Sequence, residues 1–452
     1  MDSTGPGTGP AGRPPAPARR RRGGLRVVLV AALAALLTVL GAPAATAHTE
    51  LVGTDPADGQ VLQSTPTTIT LSFNEPVGAT PEAVRLLAPS GDRIPLTARA
   101  LDSTVGLTPS TALGDGTHTV LWQVTSADGH PVSGSFTFSV GEPTATTVEV
   151  QQHAPSAATA HYAAQTLTYA GVLATSGLVV FDLLLFAPRP GTALRARRRL
   201  HRLMHLGAAL AVAGTVVSVL ASVLWQAGAA PVSLTDGALW RAAAGSGSAL
   251  AAVLTTAGVL TAALAAPRAA GRGGGRLARG AALGGAGLAG ASLVVIGHTR
   301  SAEPAWLVVP ADAVHVAAGL VWVGGILGLV TVLGRTSDTS PRQATLTLSR
   351  FSAVAGWVVL ALAATGLLLG WRILGGPGAL VSTGYGRILL LKIAVVLGVV
   401  AVAAWNRFVH LPRVLTRPDS RVLADLQSTI QGEGALLVLV LAVTGVLTSL
   451  SP

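Results

Sequence analysis

The chain reads as two structural classes in series, an exported all-β sandwich followed by an all-α polytopic membrane domain of eight transmembrane helices. Three observations predict this. Half of the 452 residues are hydrophobic and only 11% are charged, a composition that points to membrane spans. Short alternating runs separated by turn residues fill positions 51–140, and long apolar runs recur from about 160 onward. The formal charge of +11 is also divided unevenly. Residues 48–150 hold eleven acids against Arg85, Arg93 and Arg99, a net −8, whereas 151–452 hold 22 basic residues against eight acids, a net +14. An acidic module joined to a basic membrane module does not imply nucleic-acid binding.

The first element is a leader. Arg19–Arg22 precede an apolar run from Leu25 to Leu40, and Ala45 and Ala47 stand at the −3 and −1 positions of a cleavage site. Residues 1–47 are therefore expected to be a signal peptide, with His48 the first residue of the mature chain. Its free α-amine and imidazole Nδ1 could then chelate one metal ion together. Residues 48–141 form the β module. Within it Ile69–Phe73, Val84–Leu87, His118–Val124 and Ser135–Val140 alternate apolar and polar side chains, and Asp58-Gly59, Ser90-Gly91, Asp115-Gly116 and Asp128-Gly129 supply turns. About a hundred residues is enough for one small antiparallel sandwich.

Residues 142–160 read as a linker and 161–452 as the membrane domain, with spans near 162–187, 203–226, 243–266, 278–297, 311–334, 352–372, 387–408 and 431–450. With the β module outside, the loops expected inside carry Arg189, Arg195, Arg197–Arg199 and Arg202, then Arg268, Arg272, Arg276 and Arg279, then Arg335 and Arg342, then Arg413, Arg417 and Arg421. The loops expected outside have only Arg241, Arg300, Arg372 and Arg387 at or near them. That asymmetry follows the positive-inside rule and agrees with the leader. The expected location is the plasma membrane, multi-pass, with the β module extracytoplasmic.

The candidate chemistry lies in a few side chains. There is no cysteine, and Met1 and Met204 are the only methionines, which leaves little soft sulfur for Cu(I). Asp128 and His130 flank a glycine between two strands; they are either a solvated hairpin turn or ligands that converge with His48. An amine, two imidazoles and a carboxylate make an N,O donor set that suits tetragonal Cu(II). In the spans, Asp312 and His315 sit three apart and share a helix face. They lie near the outer end of the fifth span, and His298 closes the fourth at that end. They form either an ion path or a structural hydrogen-bonded cluster. Asp182, Lys392 and Glu433 read as buried ion pairs that stabilise packing. His201, His205 and His410 read as solvated or headgroup-facing, and His153 and His161 flank the linker.

Two resemblances follow from these residues. His48-Thr-Glu-Leu-Val-Gly-Thr-Asp-Pro-Ala-Asp-Gly59, Leu71-Ser-Phe-Asn-Glu-Pro-Val77 and Ser126-Ala-Asp-Gly-His-Pro-Val-Ser-Gly134 resemble the CopC family of exported copper-binding β-sandwiches. Gly297-His-Thr299, Asp312-Ala-Val-His-Val-Ala-Ala-Gly-Leu-Val-Trp-Val-Gly-Gly325, Arg350-Phe-Ser352 and Tyr385-Gly-Arg-Ile-Leu-Leu-Leu-Lys392, followed by Asn406-Arg407, resemble the CopD membrane family. The resemblance implies a CopC-like, Ig-like or cupredoxin-like sandwich holding Cu(II) at His48, Asp128 and His130. It also implies copper transport, in the direction of import, through a membrane domain whose path is expected at His298, Asp312 and His315. The expected partners are copper, the lipid bilayer, and extracytoplasmic copper donors or cytoplasmic copper chaperones. A membrane haem or redox protein bearing the copper module is the alternative. An oxidative enzyme fits less well, because the small module shows no evident aromatic substrate face; the expectation is a non-enzymatic protein.

Overall fold

The computed structural model describes residues 51–74, 76–78, 84–126, 131–144, 155–186, 192–226, 235, 237–244, 247–271, 275–295, 299, 302–334, 337–410, 412–413 and 420–449. Among these residues the N-terminal part holds ten strands: β1 (Leu51–Asp55), β2 (Gln60–Leu62), β3 (Ile69–Phe73), β4 (Val77–Gly78), β5 (Val84–Leu87), β6 (Arg93–Ile94), β7 (Leu96–Leu101), β8 (Thr104–Pro109), β9 (Gly116–Ser126) and β10 (Pro131–Val140). One sheet runs β1-β3-β8-β7 and the other β2-β10-β9-β5-β6, with β4 also on β9. The β2–β10 pair is parallel and the other pairs are antiparallel.

Alternation explains why the sheets face each other. β3 buries Ile69, Leu71 and Phe73 on one face and leaves Thr70 and Ser72 only partly covered. Those three meet Val105 and Leu107 of β8 and, from the other sheet, Leu86, Val120, Trp122, Phe136 and Phe138. Removing each such side chain from water stabilises the fold by about 1.5–3 kcal/mol. β7 and β8 add a hairpin that the sequence reading does not contain. Leu101 pairs with Thr104, so Asp102 and Ser103 form a two-residue turn, and Asp102 takes the left-handed conformation at φ +51°.

Among the described residues the helical part contains eight helices long and apolar enough to cross a membrane, the number expected. Spans one to four are Ala160–Phe186, Leu194–Leu224, Gly247–Ala270 and Arg276–Val295. Spans five to eight are Ala305–Val332, Pro341–Leu374, Gly384–His410 and Leu426–Thr448. Several begin earlier than hydropathy suggests. Span two is helical from Leu194 because Arg195–Arg202, too polar to register in hydropathy, continue the same helix.

Span one is the hub. It packs against spans two, five and four, while spans six and seven keep most of their surface outward. Gly177 of span one lies against Gly324 of span five so closely that a Cβ on Gly324 would fall 2.0 Å from the Gly177 carbonyl. Only a hydrogen at both positions permits that contact. A second tie comes from the segment between spans five and six. The Asp338 carboxylate accepts hydrogen bonds from the amides of Arg195 (2.8 Å) and Ala196 (2.9 Å), capping the start of span two's helix. Burial is the largest single influence and raises the Asp338 carboxyl, but the amides of Arg195, Ala196 and Asp338 itself and the nearby Arg195 charge together hold it below the usual carboxylate range.

Candidate functional site

Of the expected site residues, His48, Asp128, His130 and His298 lie outside the described residues, as does His153. What is described around the β-module trio is their framework. β1 begins at Leu51, which pairs with Phe73. Val77 pairs with Ser126, the last residue of β9. Phe73 and Val77 are four residues apart, so their Cα atoms are at most about 14 Å apart. The start of β1 and the end of β9 therefore share one end of the sandwich.

Asp312 and His315 are described. They occupy the arginine-poor end of the bundle, one helical turn apart on span five. Thr299 Oγ1 donates to Asp312 Oδ2 at 2.8 Å. His315 Nδ1 lies 2.9 Å from Thr365 Oγ1 of span six. Thr365 has one hydroxyl proton and gives it to the Ala361 carbonyl at 2.6 Å. Its oxygen must therefore accept from His315, which fixes the ring proton on Nδ1 and leaves the Nε2 lone pair for another electrophile. A threonine that orients an imidazole through its second nitrogen is the arrangement that metal-binding histidines need. Gly366 packs beside the ring, where a Cβ would meet His315 Cε1 at 3.4 Å.

Further polar groups gather there. Lys392 of span seven, the chain's only lysine, lies within electrostatic range of both Asp312 and His315. Tyr169 of span one and Tyr385 of span seven lie within range of Asp312. Four spans thus contribute to one polar region in the arginine-poor half. Among the described residues, however, no three His, Cys, Asp or Glu side chains come close enough to hold a metal ion. Asp312 and His315 alone supply two donors.

The arginine-rich end is built differently. Asp182 is fully buried on a wider π-helical turn, Phe181–Phe186, at the end of span one. Arg197 Nε reaches its Oδ1 at 3.1 Å and His201 Nε2 reaches its Oδ2 at 3.1 Å. Arg197 also donates to the Ala270 carbonyl at 2.8 Å. The carbonyls of that π turn are collected by side chains of other spans: Leu183 by Arg279, Leu185 by Arg350 and Phe186 by Gln343. A second π turn, Asn406–His410, ends span seven. There Asn406 donates to Glu433 Oε1 at 2.7 Å and accepts from Thr429.

These contacts correct several expectations. His201 is not solvated; the antiparallel packing of spans one and two delivers it to Asp182. His410 is buried and accepts from Trp405 Nε1 at 3.2 Å, so it is no headgroup ligand either. His205 is exposed, with Nδ1 2.6 Å from the His201 carbonyl. Asp182 does form the expected buried ion pair. Glu433 instead pairs with the amide of Asn406, and Lys392 makes no ion-pair contact among the described residues. His161 leans on Ser218 of span two, 3.1 Å from its carbonyl and hydroxyl. Thr365 is the residue that sequence reasoning missed, and Thr299 entered it only as part of a family motif. A threonine on an apolar helix carries no signal until its neighbour across the bundle is known.

Comparison with known proteins joins both halves. The CopC domain family matches residues 51–141, and the family of copper resistance protein D matches 345–447, which runs from span six through span eight and includes Thr365, Tyr385, Lys392 and Glu433. The chain is 27% identical over 433 residues to the copper transport protein CutJ of Bacillus subtilis, covering 89% of this chain and 74% of that protein. It is 35% identical over 113 residues to protein YobA of Escherichia coli, covering 24% of this chain and 91% of YobA. With copper resistance protein C of Xanthomonas campestris pv. juglandis it shares 37% over 123 residues, 25% of this chain and 91% of that protein. A β-sandwich of one family and a polytopic helical domain of the other, in one chain, make this a multi-pass membrane protein of the CopC/CopD copper-handling family, a fused CopC–CopD protein.

Proposed function

We propose that the β module, residues 48–141, captures Cu(II) outside the cell and that the membrane domain, residues 161–452, carries copper inward. Cleavage after Ala47 would expose the His48 amine beside its imidazole, and Asp128 and His130 would complete a sulfur-free N,O donor set. The register supports this, because Leu51 and Ser126 lie at one end of the sandwich. Copper, the substrate, would pass to His298, Asp312 and His315 in the arginine-poor half, which the positive-inside rule puts on the outer side. The exchange partners would be extracytoplasmic copper donors and cytoplasmic copper chaperones.

The observation that carries the membrane part is His315, whose Nε2 lone pair is set by the Thr365–Ala361 hydrogen-bond relay beside a carboxylate. Ionisable groups at that depth are costly and usually line a path. Copper relatives over most of the chain favour this reading over a haem or redox protein. Two measurements test it. The mature full-length chain should start at His48 by mass spectrometry and bind one Cu(II), and one residue added before His48 should weaken binding strongly; equal binding ends the chelate. Replacing His315 with Ala should lower copper accumulation in cells. Unchanged accumulation removes His315 from the path.

A further inference from the structure

We infer that Lys392 is a tethered rival of copper: its ammonium competes with the incoming ion for Asp312 and keeps the membrane site's grip weak enough for release. The inference rests on the copper path proposed above and gives that path its release device.

Packing puts the ammonium at the site. Gly366 and Gly370 lie one turn apart on one face of span six. A Cβ on Gly366 would meet His315 Cε1 at 3.4 Å, and one on Gly370 would meet Leu389 of span seven at 3.5 Å. Spans six and seven run in opposite directions, so Lys392, one turn inward from Leu389, comes level with Gly366 and with His315. Lys392 is within electrostatic range of both His315 and Asp312, yet it makes no ion-pair contact among the described residues. Asp312 is held by the Thr299 hydroxyl instead.

The residue type matters. Lys392 is the only lysine in a chain whose other strong bases are all arginine. A guanidinium beside Asp312 could lock onto it through two parallel hydrogen bonds. An ammonium on a flexible four-carbon stem is a point charge that can approach a carboxylate and withdraw. Asp312 and Lys392 sum to zero charge, and the lone pair on His315 Nε2 leaves that ring neutral. Copper at Asp312 and His315 would therefore give the region an excess of positive charge, which low dielectric makes costly. Passage needs binding favourable enough for entry and weak enough for exit. The lysine supplies the second condition.

The test titrates copper-loaded full-length protein with a chelator. K392Q should hold the membrane-site copper about tenfold more tightly than the wild type, and cells carrying it should accumulate copper more slowly. K392R, which keeps the charge, should stay with the wild type, and adding H315A to K392Q should abolish the gain. Equal affinity of K392Q and wild type overturns the rivalry. So does K392R matching K392Q, because charge would then not be the cause. A gain that survives H315A places the tighter site elsewhere and overturns it too. If H315A alone leaves accumulation unchanged, the path falls and the rivalry with it; an impaired H315A beside an unaltered K392Q removes only Lys392. If K392Q does not fold, a neutral acylating reagent on the wild type decides. Mass spectrometry should find Lys392 modified faster when copper is present, and an unchanged rate overturns the proposal.

Discussion

The two ends of the helical bundle handle buried polarity in opposite ways. At the arginine-rich end Asp182 is clamped by the Arg197 guanidinium and the His201 imidazole, and Arg197 is held in turn by the Ala270 carbonyl. At the arginine-poor end Asp312 and His315 are held by single threonine hydroxyls, with Lys392 nearby but not in contact. A carboxylate fixed by a guanidinium cannot release it without stranding the charge in low dielectric. Neutral hydroxyls can be exchanged for another ligand at little cost. The first arrangement suits a fastener and the second a place through which a cation passes.

The largest expected effect tests the fastener. Replacing Asp182 with Ala leaves a guanidinium only 14% exposed without its counter-ion, a loss of about 3–5 kcal/mol. Folded protein recovered from membranes should fall sharply. Asp312→Asn is the counterpart at the other end. The amide oxygen can still accept from Thr299, so thermal unfolding should change by under about 1 kcal/mol while copper accumulation drops. If the two variants behave alike, the contrast between the ends is wrong. Gly324→Leu comes next. It must drive spans one and five apart, at about 1–3 kcal/mol of overpacking, and should lower the melting temperature in detergent.

Asp338→Asn is expected to be milder, about 1 kcal/mol or less, because an amide still caps a helix and the site is exposed. The sign of its pH dependence follows from the direction of the shift. The folded carboxyl titrates below its unfolded value near 3.8, so its contribution is present above that value and fades as pH falls through the folded one. The wild type should therefore lose its small advantage over Asp338→Asn in acid; a gap that widens on acidification would contradict the capping geometry. Glu433→Gln should matter least, since the amide oxygen still accepts from Asn406. A large loss of transport in a fully folded Glu433→Gln protein would move that residue from packing to the path.

Much of the fold is legible in the residues because solvent partition acts locally. Ile69–Phe73 alternates and becomes a strand with the same bounds, and each of the eight long apolar runs read from about 160 onward becomes a span. β7 escapes this reading because Ala98 and Ala100 are too small to mark its inner face, and β8 because only Val105 and Leu107 mark its buried face, on either side of Gly106, while Pro109 argues against a strand. Span two's first turns escape it because arginines hide a helix from hydropathy without preventing one. Site partners were harder still. Asp312 and His315 could be picked out by their cost in an apolar segment, but Thr365 is 50 residues from His315 and meets it only across the packed faces of spans five and six.

The sequence by itself determined the two-part architecture, the eight crossings and the arginine asymmetry, since each follows from how side chains divide between water and hydrocarbon. It also carried both family resemblances. Tertiary structure decided which polar groups meet: that His201 serves Asp182, that Glu433 is matched by an amide, and that Thr365 sets the imidazole proton of His315. Hydrogen bonds and ion pairs act over about 3 Å, and only the packing of distant helices brings their partners within that reach.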